Sequence, residues 1–262
     1  MLLEIKNLSI EFHDHNAPEK VLNDISFSME DGEILGIVGE SGSGKSMTAM
    51  AVAGLLPRKK MEKKGEIYFN GEELLFAGRN VLRRLQGKAV SVIFQEPMTA
   101  LNPTMKIGRQ VEEALRVHER MSKTEMKERA LEYLKKVELN DVEGIYNAYP
   151  HELSGGMRQR VMIAAALIAG PRLLIADEPT TALDVTVQAD IIKLLKKINR
   201  EEETAILFIS HDLSLVKELC DNVLVMQNGI ITERGKAKDV FANPTHPYTR
   251  RLVDAIPVID MN

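Results

Sequence analysis

The sequence has no tryptophan and a single cysteine, Cys220. A lone thiol excludes an internal disulfide and any zinc or iron–sulfur site that needs several thiolates. Cys220 is expected to serve as a small apolar residue in a helix. Aromatic residues make up 5% of the chain, too few for the stacking platforms of a single-strand nucleic-acid binder. Positive charge is not in excess: 34 Lys and Arg stand against 38 Asp and Glu, a formal net charge of −4. That argues against a broad basic surface, and no nucleic-acid partner is expected. Long hydrophobic runs are missing too. Val161 to Ala169, the most continuous, ends at Gly170-Pro171, far short of the ~20 apolar residues of a membrane span. Glu4 and Lys6 put charges where a signal peptide would carry its apolar stretch, so the chain is expected to stay in the cytoplasm.

What is present is a strand-and-helix pattern over 262 residues, enough to bury a real core. Leu3, Ile5, Leu8, Ile10 and Phe12 alternate in the strand manner, and Val21 to Met29 resumes the pattern after a polar break. With the Asp31-Gly32 turn this predicts a small antiparallel sheet. His13-Asp-His15, inside the break, reads as a polar hairpin loop, since two histidines alone make an incomplete metal site. Ile34 to Val38 is a short buried strand, followed by a glycine-rich loop and an apolar helix from about Lys45 to Leu55. Arg58 to Lys64 reads as a solvated charged loop. Glu66 to Phe69, Asn70-Gly71 and Glu72 onward form a hairpin, and Ala89 to Phe94 is another buried strand.

From 97 to 169 the sequence is charged and helical with no convincing strand, and Ser122 with Glu125 makes a capping box for a helix through Val137. Strands then return at Leu173 to Ala176, Ala205 to Ile209 and Val223 to Met226, alternating with helices from about Val187 and near Leu215. That alternation implies a parallel sheet. The expected fold is α/β: a RecA-like P-loop NTPase core (34–64, 76–96 and 170–242) with an N-terminal antiparallel β subdomain (1–33 and 65–75). An inserted α-helical subdomain (97–169) and a C-terminal tail (243–262) complete one domain over 1–262.

Gly39-Glu-Ser-Gly-Ser-Gly44-Lys45-Ser46 fits the P-loop pattern between a buried strand and a helix. Glycines let backbone N–H groups curl around phosphate oxygens, and the helix points its positive end at the anion. Lys45 is expected to reach the β- and γ-phosphates and Ser46 to hold Mg²⁺. The nucleotide-contacting set is Gly39, Ser41, Gly42, Ser43, Gly44, Lys45, Ser46 and Thr48. Leu173 to Glu178 is an apolar strand ending in two carboxylates. Asp177 would reach the Mg²⁺ shell, and Glu178 is a candidate base for the attacking water. His211 leaves a buried strand at the sheet edge where open α/β sheets bind ligands, placed to hydrogen-bond the γ-phosphate. Leu153-Ser154-Gly155-Gly156-Met157-Arg-Gln159 opens a helix with paired glycines, a second anion site. Two anion sites far apart in one chain suggest that two copies share each nucleotide.

Together these segments resemble the ATPase subunits of ATP-binding-cassette (ABC) transporters. Gly39 to Ser46 matches the family's Walker A, Gln95 its Q-loop residue, Leu153 to Gln159 its signature and Leu173 to Glu178 its Walker B. Ala182-Leu-Asp184 matches its D-loop and His211 its switch histidine. The resemblance implies ATP and Mg²⁺ as cofactors. It places Gln95 on the metal and γ-phosphate, and Ser154, Gly155, Gly156, Met157, Gln159 and Asp184 on a nucleotide shared between two subunits. Phe12 falls where the family sets an aromatic ring against adenine. Met157 stands where the family usually has glutamine.

Phe94-Gln-Glu-Pro97-Met-Thr-Ala-Leu101-Asn-Pro103, Ser154 to Arg160 and Asn243-Pro-Thr-His-Pro-Tyr248 are similar to the oligopeptide/dipeptide/nickel importer branch, D-type subunit. That implies an F-type ATPase as heterodimer partner, two transmembrane permease subunits and, indirectly, an extracytoplasmic substrate-binding protein, with this chain on the cytoplasmic face of the membrane. The cysteine-bearing C-terminal extension of many peptide-type D subunits does not follow Asn262, which tilts the expectation toward nickel or metal-chelate members. Rival readings are a soluble cassette ATPase acting on ribosomes or DNA, which would typically bring two cassettes or a long coiled coil, and a P-loop small-molecule kinase. Pro97 and Pro103 stiffen the stretch after Gln95, and Met98, Leu101 and Met105 are expected to offer an apolar surface to a short helix of a membrane subunit.

Overall fold

The computed structural model describes residues 1–13, 18–57, 60–95, 100–181 and 183–255. Its elements run β1 (Leu3–Phe12), β2 (Glu19–Met29), β3 (Ile34–Val38), α1 (Lys45–Val52), β4 (Met61–Phe69), β5 (Glu72–Glu73), α2 (Arg79–Leu85) and β6 (Val90–Ile93). Helices α3 (Ile107–Val111), α4 (Glu113–His118), α5 (Lys123–Lys136), α6 (Val142–Asn147) and α7 (Gly155–Leu167) follow, with a 3₁₀ turn at Pro150–Glu152. The remainder is β7 (Leu173–Asp177), α8 (Val185–Glu202), β8 (Ala205–Ile209), α9 (Leu213–Leu219), β9 (Asn222–Gln227), β10 (Ile230–Lys236), α10 (Ala237–Ala242) and α11 (Pro247–Asp254). The chain divides into two compact units, Met1–Gly78 with Leu207–Asn262, and Arg79–Ile206.

In the first unit an antiparallel sheet has the order β2-β1-β4-β5. Leu3, Ile5, Leu8 and Ile10 of β1 and Leu22, Ile25, Phe27 and Met29 of β2 are buried; the two-residue alternation is interrupted between Ile5 and Leu8 and between Leu22 and Ile25, where the strand register shifts. The stretch expected to be a charged loop is in part strand. Met61 to Lys64 opens β4, with Phe12 opposite Met61, Glu11 opposite Glu62 and Ser9 opposite Lys64. Arg58 and Lys59 lie outside the described residues. The charges fit a strand because they alternate in exposure, and Glu62 and Lys64, two residues apart, form an ion pair at 2.7 Å. The same unit carries β10 antiparallel to β9, β9 parallel to β3, and Ser210 at the end of β8 donating its N–H to Ile37 O at 3.2 Å. Strand β3 is buried at every residue. The turn between β9 and β10 fixes the loop after β3: Gly229 N–H donates to Ser43 O at 3.1 Å and Asn23 N–H to Gly229 O at 2.8 Å. Cys220 is buried just past the end of α9, against Gly36.

In the second unit β6 and β7 pair in parallel, Val90 opposite Leu173 through Ile93 opposite Ala176, and Ala205 N–H, at the start of β8, donates to Arg172 O at 2.9 Å. Parallel pairing of fully buried strands accounts for their unbroken apolar runs. Among the described residues of 100–169 there is no strand. The capping box at Ser122 and Glu125 starts α5. Buried Met126, Ala130 and Leu134 line one face of α5, and Val161, Ile163, Ala164 and Leu167 are buried along α7. Arginines satisfy carbonyls at the helix ends: Arg160 Nη1 reaches Val137 O at 2.7 Å and Arg158 Nε reaches Pro150 O at 2.7 Å. Helix α2 is a further element; its seven residues carry only Val81, Leu82 and Leu85 as a short half-buried apolar face, too brief a pattern to announce a helix.

Candidate active site

The first unit holds the phosphate loop between β3 and α1. A Cβ at Gly39 (φ +153°) would stand 2.2 Å from Met226 O, so only glycine lets the chain turn there. Gly42 (φ +80°) faces open space, with nothing within 4 Å of a Cβ position. Lys45 is 5% exposed, and its Nζ donates to Gly39 O at 2.8 Å and Glu40 O at 2.9 Å. The ammonium is thus stored on loop carbonyls. Ser43 Oγ is buried without a hydrogen-bond partner. Ser41 and Ser46 are exposed. Thr48, placed among the nucleotide contacts on sequence grounds, is completely buried and spends its hydroxyl on Gly44 O at 3.0 Å. It braces the loop from behind. His211 is exposed, after Ser210 at the end of β8, and Asp212 caps the next helix by accepting from Ser214 N at 2.8 Å. Phe12 is half-buried at the end of β1. The neighbouring Glu11, His13 and Glu62 gather within 4.8 Å, with Lys64 on Glu62; His15 lies outside the described residues.

The second unit holds the carboxylates. Asp177, 9% exposed, ends β7. Glu178 follows at φ +47°, a left-handed conformation that costs a non-glycine residue ~1–2 kcal/mol and persists where surroundings enforce it. Its Oε2 accepts from Gln95 Nε2 at 2.9 Å and Thr181 Oγ1 at 3.0 Å. The structure therefore brings Gln95 and Glu178 together, and adds Thr181, which sequence reasoning missed. The signal was present in its spacing, three residues after Glu178 at a turn. A carboxylate gripped by two neutral donors and aimed by a forced backbone has the chemistry of a positioned base.

Ser154 and Gly155 are exposed at the start of α7, and Ser154 Oγ accepts from Met157 N at 3.3 Å. Gly156 and Met157 are half-buried. A Cβ at Gly155 would meet Leu183 at 3.7 Å and one at Gly156 would meet Val187 at 2.9 Å. This helix start therefore packs on the segment led by exposed Asp184, which caps α8 through Val187 N at 3.0 Å. Ala182 lies outside the described residues. Gln159 corrects the sequence reading. It is completely buried, its amide atoms without hydrogen-bond partners, because position 159 falls on the inward face of α7. Its side chain points into the protein, away from any phosphate outside it.

Beyond Gln95, Pro97 and Met98 lie outside the described residues. Leu101 is 5% exposed, so it forms part of a groove wall and no open surface of its own. Phe94 is 50% exposed and was not singled out from sequence. With Leu101, Gln110 and Met162 it lines a groove of about 270 Å³.

A family model described as "ABC transporter" matches residues 22–181, and one described as "Oligopeptide/dipeptide transporter, C-terminal region" matches 232–262. The chain belongs to the ABC transporter ATPase family. It is 50% identical over 259 residues to the oligopeptide transport ATP-binding protein OppD of Escherichia coli, covering 99% of this chain and 77% of that protein. It is 47% identical over 256 residues to the dipeptide transport ATP-binding protein DppD of Haemophilus influenzae, covering 98% and 78%. Among solved structures it resembles the ATP-binding cassette MJ0796, a dimer in a post-hydrolysis state bound to ADP and Pi. The TM-score is 0.80 with 29% identity over 90% of this chain and 99% of that one.

As an ABC ATPase the chain binds and hydrolyses ATP, and its phosphate loop fits that ligand. Ser43 Oγ, buried without a partner, and the open side of Gly42 are what a loop built to take phosphate oxygens leaves unfilled. The rival kinase reading falls with the family match, since residues 22–181 that carry it include the Leu153 to Gln159 segment. No helix among the described residues is long and apolar enough to cross a membrane.

Proposed function

We propose that this chain is the D-type ATPase subunit of an importer for oligopeptides or dipeptides, working at the cytoplasmic face of the membrane. It pairs with an F-type ATPase subunit and drives two permease subunits that receive substrate from an extracytoplasmic binding protein. The observation that carries the reading is the identity of about half the residues to oligopeptide transport proteins over almost the whole chain. The match of 232–262 to the C-terminal region of such transporters supports it. Peptide cargo takes precedence over nickel on the same ground, because the named relatives carry peptides.

In this reading the loop N–H groups and Lys45 hold the phosphates, with Ser46, Asp177 and Gln95 on Mg²⁺, which supplies charge neutralisation when bound. Glu178 accepts the proton of the attacking water, His211 steadies the γ-phosphate and Phe12 lies against adenine. Ser154, Gly155, Gly156 and Met157 meet the nucleotide of the partner subunit, with Asp184 beside them and Gln159 supporting from within. Closure of the pair drives the permeases, and hydrolysis resets them. The coupling contact is the groove at Phe94, whose exposed ring suits a short apolar helix. The core, β and helical subdomains proposed from sequence divide the labour accordingly: the helical one carries the signature, and the permease contact is shared between Phe94 at the edge of the core range and Leu101, Gln110 and Met162 of the helical one.

The test is reconstitution in liposomes with both ATPases, the permeases and the binding protein. Peptide should stimulate ATP hydrolysis and accumulate inside, and a nickel chelate should do neither. Stimulation by the nickel chelate and not by peptide overturns the reading.

A further inference from the structure

Helix α11 carries the His246-Pro247-Tyr248 segment, distant in sequence from every motif that handles nucleotide. Tyr248 is 2% exposed, and its hydroxyl accepts the backbone N–H of Glu40 at 2.9 Å. That N–H belongs to the Gly39–Glu40 peptide unit, whose carbonyl, Gly39 O, accepts Lys45 Nζ at 2.8 Å. In a trans peptide the N–H and C=O point in opposite directions. Tyr248 on one side therefore fixes the direction of the carbonyl that holds Lys45 on the other.

The tyrosine is itself anchored. The Glu233 carboxylate accepts from Thr245 N–H and hydroxyl, both at 2.8 Å, and from His246 N–H at 3.1 Å. His246 Nδ1 accepts from Tyr248 N–H at 3.2 Å and caps the helix, Pro247 fixes its first turn, and the Arg251 guanidinium lies 5.7 Å from the Tyr248 ring centroid. Burial alone would raise the Glu233 carboxyl, but the Thr249 hydroxyl together with the Thr245 and His246 donors outweighs it and holds it down at about 2. Strand β10 thus carries a clamp that is charged at neutral pH and sets the C-terminal helix, and the helix sets the loop.

We propose that Tyr248 is a positioning residue for ATP: through the Gly39–Glu40 peptide it orients the phosphate loop and Lys45, making α11 a strut of the nucleotide site. The geometry separates this role from packing, since Tyr248→Phe keeps the buried ring and removes only the hydroxyl.

The experiment measures Mg·ATP affinity of the full chain by calorimetry, its thermal midpoint without nucleotide, and KM and kcat in the assembled transporter. For Tyr248→Phe the dissociation constant and KM should rise about fivefold, the size of one lost neutral hydrogen bond. The kcat should stay within about twofold and the midpoint within about 2 °C. Glu233→Gln should shift affinity in the same direction by less. In a double-mutant cycle, Tyr248→Phe should add little to the affinity already lost in Lys45→Ala, because both act through one peptide unit. Unchanged affinity and KM in Tyr248→Phe overturns the proposal. So does a loss that is fully additive with Lys45→Ala, or one that tracks a fall in the thermal midpoint.

Discussion

Replacing Gly39 by alanine puts a methyl group 2.2 Å from Met226 O and 2.7 Å from Ser43 Oγ. The serine could turn aside, but Met226 O is backbone of β9, whose residues Val223 to Met226 are buried. The strand or the loop must shift, which costs ~1–3 kcal/mol as overpacking, and the positive φ adds ~1–2 kcal/mol. A total of roughly 2–5 kcal/mol corresponds to a fall in thermal midpoint of roughly 5–15 °C for a chain of this size. Gly42→Ala is the matched comparison. Its φ of +80° carries the conformational cost, but no atom lies within 4 Å of the new methyl group. Its midpoint should fall by only about 2–6 °C, while ATP affinity drops because the methyl occupies the open space of the phosphate loop. The assay is differential scanning fluorimetry of both variants, with and without ATP. Equal midpoints for the two variants would refute the assignment of Gly39 to close packing and Gly42 to the ligand face.

Ser43→Ala removes a buried hydroxyl that has no partner; calorimetry should find the nucleotide-free protein unchanged or up to about 1 kcal/mol more stable, with weaker ATP binding. Glu233 titrates at about 2 in the folded chain against an ordinary 4.5. Its folded value is depressed, so its stabilisation is complete above pH 4.5 and is lost as pH falls through about 2. In Glu233→Gln, the unfolding free energy from urea titration should be lower at neutral pH by at least about 1 kcal/mol, and the slope of stability against pH between those values should flatten. Phe94→Glu should abolish peptide uptake by the assembled transporter while leaving ATP affinity of the isolated chain within about twofold; loss of both together with the thermal midpoint would make Phe94 a packing residue.

Local chemistry made much of this legible from sequence. The capping box at Ser122 and Glu125, the phosphate loop after Ile34–Val38, and the apolar strand ending at Asp177-Glu178 each depend on neighbours within a few residues. What failed to show was the partner across space. Met61 to Lys64 reads as charge until β1 supplies its register, and α2 has no buried stripe. Thr48 and Gln159 sit in motif-rich segments, yet the helix turn that carries each points its side chain inward, and Leu101 is buried from a bend that no periodicity announces. Tyr248 and Glu40 are separated by 208 residues, and no spacing rule joins them.

The central claim is that this chain turns over ATP with Glu178 as base and couples that turnover to peptide import. The most direct measurement is the peptide-stimulated ATPase rate of the reconstituted transporter carrying Glu178→Gln in this subunit alone, beside ATP affinity of the same variant. The amide keeps the shape and one accepting oxygen for Gln95 and Thr181 but cannot take a proton. The account predicts ATP affinity within about threefold of the parent and turnover at this site slowed by about 10²–10⁴-fold, with import lost. Undiminished ATPase and import in that variant would contradict it.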